Sequence, residues 1–174
     1  MKSTQLVKRV TQVGLVVRDL DAALREYADK LGIGPWRVYT YAPPKLTDTK
    51  VRGVPVPFSM KLALAVTQDT MWELIQPLDG PSIYAEFLRE HGEGIHHVMV
   101  DTGRTRGDVT KEFLERGWHS IMEGKFLGAQ FEYYGTEASL ATTIEVCYLP
   151  SDWTRPEPDY WYPSNPQPSA EGRE

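Results

Sequence analysis

Four polar residues stand inside runs of apolar, β-branched sequence, where side chains of their kind are costly. Gln12 opens Gln12-Val-Gly-Leu-Val-Val, Glu73 sits in Trp72-Glu-Leu-Ile, His97 opens His97-Val-Met-Val, and Glu145 sits in Ile144-Glu-Val. Singly, each has a bland explanation: an edge-strand amide, two strand acids facing water, a satisfied histidine. An ionised carboxylate inside an apolar strand is unfavourable unless something compensates it, and the anomaly occurs twice. A shared cation explains both. One amide oxygen, one imidazole and two carboxylates form a mixed O/N donor set for a divalent Zn, Ni, Co or Mn ion, with coordination room left for a substrate.

A repeated unit positions these residues. A short β-branched strand over 10–17 is followed by a helix capped by Asp19, with an apolar face of Leu20, Ala23, Leu24, Tyr27 and Leu31, stopped by Gly32. Strands follow over 36–41, 58–67 and 71–77, separated by Pro/Lys/Asp-rich loops. The same order recurs: a strand over 95–101, a helix started by Asp108 with Val109, Phe113 and Leu114 inward, and strands over 118–124, 129–135 and 142–149. Recurrence of a supersecondary unit decides the fold. It predicts an α+β chain of two βαβββ modules, 8–80 and 94–150, joined by a linker helix within 81–93 that buries Ile83, Phe87 and Leu88. Laid on one another, the modules superimpose Gln12 on His97 and Glu73 on Glu145. Neighbouring strand residues face opposite ways, so His97 enters the site and His96 supports it from behind. His91 and His119 are read as surface or loop residues, and Trp36, Tyr39 and Tyr41 as core. The segments 43–57 and 125–130 are read as specificity-determining loops. Beyond the modules, 151–174 is a Trp/Tyr/Pro-rich extension whose aromatics clamp the domain or a partner and whose polar end frays.

Composition narrows the partners. Across 174 residues, 19 Lys+Arg stand against 24 Asp+Glu, a net charge of -5 without a basic stripe, which argues against duplex nucleic acid. The lone Cys147 excludes an internal disulfide and a Cys-rich zinc site, as suits a reducing compartment. No apolar run is long enough to span a bilayer, and Gln12, Arg18 and Asp19 interrupt any signal-like segment, so a cytoplasmic protein is expected.

The motifs Gln12-Val-Gly-Leu-Val-Val-Arg-Asp-Leu-Asp, Leu31-Gly-Ile-Gly-Pro-Trp36, Trp72-Glu-Leu-Ile-Gln-Pro-Leu78, Gly94-Ile-His-His-Val98 and Thr143-Ile-Glu-Val146 follow one another within residues 8–150. In this order they resemble the vicinal oxygen chelate superfamily, which includes glyoxalase I, methylmalonyl-CoA epimerase, extradiol dioxygenases and antibiotic resistance proteins. The resemblance implies an open barrel around a divalent metal, with ligands at the positions of Gln12, Glu73, His97 and Glu145, and commonly a homodimer. Two branches compete. Glu73-Leu-Ile-Gln-Pro-Leu with Gly94-Ile-His-His is similar to the epimerase branch, which usually has His where Gln12 stands and Gln where Glu73 stands. The Gln/Glu/His/Glu set is similar to eukaryotic glyoxalase I, which usually has an Arg at the position of Val16 and an Asn near Ile75-Gln76-Pro77. Their lack argues against a glutathione hemithioacetal, and Gln12 argues against an Fe(II) dioxygenase face. What the branches share is enolate formation. The implied function is a metal-dependent epimerase, racemase or isomerase that removes a proton α to a carbonyl of a small aromatic or CoA-linked substrate, with Glu145 and Glu73 moving the proton. Alternatives are a glyoxalase-type lyase or ring-opening enzyme on the same intermediate, and a non-catalytic protein that binds a small molecule such as a drug. Asp48 is the only acid between 36 and 66, so a second base away from the metal is hard to name.

Overall fold

The computed structural model describes residues 5–164; residues 1–4 and 165–174, which include the end expected to fray, lie outside the described residues. Elements follow in the order β1 (Arg9–Val16), α1 (Leu20–Leu31), β2 (Trp36–Tyr41), β3 (Leu46–Val51), β4 (Val54–Pro55), β5 (Ser59–Thr67), β6 (Thr70–Asp79) and α2 (Ile83–Glu90). Then come β7 (Gly94–Asp101), α3 (Arg106–Glu115), β8 (Ser120–Phe126), β9 (Ala129–Tyr134), α4 (Glu137–Leu140), β10 (Thr143–Tyr148) and β11 (Tyr160–Tyr162). The fold is the α+β arrangement expected. One mixed sheet runs β11-β2-β5-β6-β1-β7-β10-β9-β8-β3-β4, and its two ends do not meet. The quartets β2-β5-β6-β1 and β8-β9-β10-β7 mirror one another about an antiparallel β1–β7 seam, each with a parallel pair next to the seam.

Alternation along the strands gives the sheet two apolar faces. The outer face of the first half packs Leu15, Trp36, Ala63 and Leu74 against Leu20 and Leu24 of α1. On the second half, Val100, Tyr134 and Val146 receive Val109 and Phe113 of α3. The inner face gathers Leu62, Ile75, Tyr84, Met122, Phe131 and Tyr133 around a central cavity.

Several expectations need correction. Segment 43–57 is not a loop: β3 lies on β8 of the other half, and β4 pairs β3. Segment 125–130 is a tight hairpin whose turn, Leu127-Gly128, has φ of 46° and 91°, the twist that suits a two-residue connection. Helix α3 is capped by Thr105, whose hydroxyl accepts from the Asp108 amide, so Asp108 lies inside the first turn and does not start the helix. Trp118 precedes β8, and β11 pairs β2 antiparallel, which makes the aromatic extension part of the sheet. Leu31 and Leu114 face solvent, at 65% and 47% exposure, because each helix buries only a narrow stripe.

That stripe is testable. Leu24→Ala should lower stability by about 2–5 kcal/mol in urea unfolding, whereas Leu31→Ala, seven residues along the same helix, should change it by less than about 0.5 kcal/mol.

Candidate functional site

Pairing registers bring the four polar residues together. Gln12 lies opposite Met71 and His97 opposite Thr143, each two residues before the acid of its parallel neighbour, so Gln12 and His97 occupy equivalent positions on the two sides of the seam. Across the seam itself, Gln12 meets Met99 and His97 meets Gly14. With two-residue alternation, Gln12, Glu73, His97 and Glu145 all enter the inner face, and all four are buried. Gly14 makes room: a Cβ there would lie 2.0 Å from His97 Cε1 and 2.1 Å from Nε2. A glycine amid β-branched residues was the available signal for this close approach.

The ligand atoms of Glu73, His97 and Glu145 lie within 4.8 Å of one another. His97 Nε2 stands 3.2 Å from Glu73 Oε2 and 3.2 Å from Glu145 Oε2. Neither oxygen takes a well-aimed N–H from it, so Nε2 is a buried polar atom without a hydrogen bond. Gln12 Nε2 donates to Glu73 Oε2 at 2.6 Å and to Glu145 Oε2 at 3.4 Å. Rotation of this amide would present Oε1 instead, since which end faces the acids follows from the charge it meets. An orphaned imidazole nitrogen between two buried carboxylates fits a divalent cation.

Without such an ion a proton takes its place. Burial disfavours charge on His97, but the adjacent carboxylates of Glu145 and Glu73, each 3.2 Å from Nε2, outweigh it and lift its pKa to about 9. Burial, with the nearby charge of Glu145, raises Glu73, and His97 opposes this in part. His96, pushed down to about 3 by burial and by the His97 charge, is neutral; its Nδ1 lies 3.0 Å from His97 Nδ1. A neutral His96 accepts there, so His97 keeps its proton on Nδ1 and presents Nε2 to the acids when a cation binds. His91 and His119 are exposed.

The cluster lies in a cavity of about 330 Å³. Two buried phenols close its floor: Tyr84 donates to the Tyr133 hydroxyl at 2.7 Å, and the Tyr133 ring lies 5.0 Å from that of His97. Burial and the neighbouring carboxylates hold both phenols well above the usual range, so both stay protonated. Sequence reasoning missed this pair; Tyr133 was marked only by its two-residue spacing from Phe131, and Tyr84 by adjacency to Ile83. Tyr41, expected in the core, lines the cavity and stacks on Phe126 with centroids 3.6 Å apart. Trp36 and Tyr39 are core residues as expected. Cys147 also lines the cavity, on its solvent-exposed side. Asp48 lies on the surface, paired with Lys125.

Residues 11–134 match the Glyoxalase/Bleomycin resistance protein/Dioxygenase superfamily. Among solved structures, methylmalonyl-CoA epimerase from Mycobacterium tuberculosis has a TM-score of 0.60 and 20% identity over 86% of this chain and 93% of its own. A hypothetical protein from Bacillus halodurans scores 0.63 at 21% identity, covering 84% of this chain and 98% of that one. A Streptomyces coelicolor methylmalonyl-CoA epimerase variant in complex with 2-nitronate-propionyl-CoA scores 0.58 at 17% identity, covering 82% and 98%. No curated protein sequence matches the chain. Among the described residues, no helix is long and apolar enough to cross a membrane.

In the metal-free protein, the His97 ring should titrate by NMR near pH 9 while His96 stays neutral down to about pH 3. A raised folded-state pKa stabilises fully below the unfolded value of about 6.5 and is lost as pH rises through the folded one. Urea resistance should therefore fall between pH 6.5 and about 9. A flat profile there, with His97→Gln unfolding alike, would remove the ion pairing.

Proposed function

Since the chain belongs to the glyoxalase/bleomycin resistance protein/dioxygenase superfamily, we propose that it is a metal-dependent epimerase or isomerase acting at the carbon α to a carbonyl. The reading takes the chain as two βαβββ units, 8–80 and 94–150, that enclose one site between them. Gln12 through its amide oxygen, Glu73, His97 through Nε2, and Glu145 would hold a divalent Zn, Ni, Co or Mn ion. The observation that carries it is the buried, unbonded His97 Nε2 at 3.2 Å from an oxygen of each acid. Two solved structures similar in fold are methylmalonyl-CoA epimerases, which favours proton transfer at an α-carbon over the other chemistries of the superfamily.

When bound, the ion supplies positive charge that lowers the cost of removing a proton next to a carbonyl. This chain's own residues do the rest. Glu145 and Glu73 are carboxylates that can take the α-proton and return it, from two strands on opposite sides of the β1–β7 seam. Tyr133, whose oxygen accepts from Tyr84, retains its own proton to donate to a substrate oxygen. Met60, Leu62, Leu64 and Phe131 give the cavity an apolar lining beside the acids. Asp48, on the surface and paired with Lys125, does not serve as a separate acid, so both proton-transfer roles fall to the two site carboxylates. The substrate is a small carbonyl compound, with the carbonyl end at the acids and either an aromatic body or a CoA-linked tail toward the mouth. All four ligand residues come from one chain, so the expected homodimer is not needed to complete the site.

Elemental mass spectrometry tests the reading first. Tag-free protein loaded with Zn, Ni, Co or Mn should hold close to one ion per chain, and His97→Ala should lose it. Below about pH 9 the ion displaces the His97 proton, so affinity should rise about tenfold per pH unit. In heavy water, α-carbonyl substrates, methylmalonyl-CoA among them, should take deuterium at the α-carbon, and Glu145→Gln should slow this by about a hundredfold or more. A parent that cannot be loaded with any of the four metals, or turnover without exchange, would sink the proposal. In the first case the aromatic cavity would be read as a ligand-binding site without chemistry.

A further inference from the structure

Beyond residue 150 the chain adds Trp153 and Arg155 to the wall of the cavity, past the last strand of the second quartet. After β10 it crosses the cavity from one half to the other. The Trp153 indole donates to the Leu127 carbonyl at 3.0 Å, on the β8–β9 turn, and packs on Gly128. Three residues later the Pro156 carbonyl accepts from the Tyr39 hydroxyl at 3.0 Å, on β2. Asp159 then accepts from the Thr40 amide at 2.6 Å and donates its own amide to the Val38 carbonyl at 2.8 Å, which leads into β11. Arg155 is therefore held between two fixed points, Trp153 and Pro156, and its side chain lines the cavity.

Of the three cations that line the cavity, Arg9 pairs with Asp101 and Arg104 with Glu112, each at 3.4 Å. Arg155 has no carboxylate partner among the described residues; its guanidinium lies 5.5 Å from the Trp153 ring centroid. A guanidinium carries five N–H donors in a fork, enough to bind an oxyanion from the cavity even where one of them meets the neighbouring Tyr39 hydroxyl. The inner end of the cavity is negative and this outer side is positive, so a ligand with a neutral carbonyl inside and an anion outside complements both.

We propose that Arg155, presented by the 150–160 strap, is an anion-binding subsite of the cavity, which takes a carboxylate or phosphate carried by the substrate beyond an apolar or aromatic body. The inference rests on the cavity being the substrate site. It makes the extension a specificity-determining element and explains why the aromatic segment is tied to both halves of the sheet.

The test is calorimetric titration at pH 7 with phenylacetate, phenyl phosphate and neutral phenylacetamide, first on protein stripped with EDTA and then on metal-loaded protein. One or both anions should bind more tightly than the amide, and which one does distinguishes carboxylate from phosphate. Arg155→Gln should weaken the favoured anion about tenfold and leave phenylacetamide within about twofold. Arg155→Lys should retain part of the preference, and unchanged melting temperatures for both variants would show the strap intact. Equal weakening of anion and amide, an unchanged preference in Arg155→Gln, or no saturable anion binding at millimolar concentration would overturn the subsite. Stripped protein that shows the preference but cannot be loaded with metal leaves the subsite standing and sinks the metal reading. Loaded protein without the preference does the reverse.

Discussion

Two carboxylates and an imidazole share one water-poor pocket, and the surrounding sheet is arranged so that none of them can leave it. Glu73, Gln12, His97 and Glu145 sit on β6, β1, β7 and β10, four neighbouring strands at the centre of the sheet. Moving any one of them out would break ladder hydrogen bonds on both sides of its strand. Burying two negative groups so close together is unfavourable unless positive charge stands between them, and partial relaxation into solvent is blocked by the aromatic floor. The site is thus rigid and short of positive charge, the condition under which a divalent ion binds with little reorganisation.

The consecutive histidines divide the work. His97 faces the acids and takes up positive charge; a register shift in the β1–β7 pairing falls at His96, whose ring is neutral and lies beside Tyr84 and Phe87 on the inner side rather than on the opposite face as simple alternation predicts. Their Nδ1 atoms share one hydrogen bond, so the orientation of the His97 ring depends on a residue that cannot itself reach the cavity. Gly14 fixes the same ring from the opposite strand by leaving room for it. The position of one nitrogen atom therefore depends on three residues from two strands, only one of which faces the ligand.

How much of this could be read from sequence follows from where each stabilising partner lies. The central strands carry their own signal, because β-branched runs with a misplaced polar residue recur twice in the same order. The edge strands do not. Leu46–Val51 is mostly polar, and Val54–Pro55 contains a proline; both become strands because β8, some 70 residues away in the chain, offers free backbone groups to the first of them. Tyr160–Tyr162 likewise depends on β2. The Asp108 error has a local cause: Thr105 and Asp108 both have cap chemistry, and their mutual hydrogen bond at 2.7 Å makes them one capping motif whose first member starts the helix. Gly14 carried a visible signal, a glycine within a strand, but its meaning required knowing which ring lies across from it.

Those edge strands also explain how two mirrored halves become one unit. The first half sends β3 and β4 onto β8, the outer edge of the second. The segment after the second half sends β11 onto β2, the outer edge of the first. Each half is thus closed by chain that belongs to the other, which leaves no long free edge for aggregation on either quartet. The exchange has a further effect on the cavity. Opening its walls would break β-ladders at both ends of the sheet as well as the central seam. Within such a frame the central residues, fixed by four strands, determine the chemistry. The crossing segments lie away from the central strands, so changes in them can alter what enters while the four strands that carry the polar cluster stay in place.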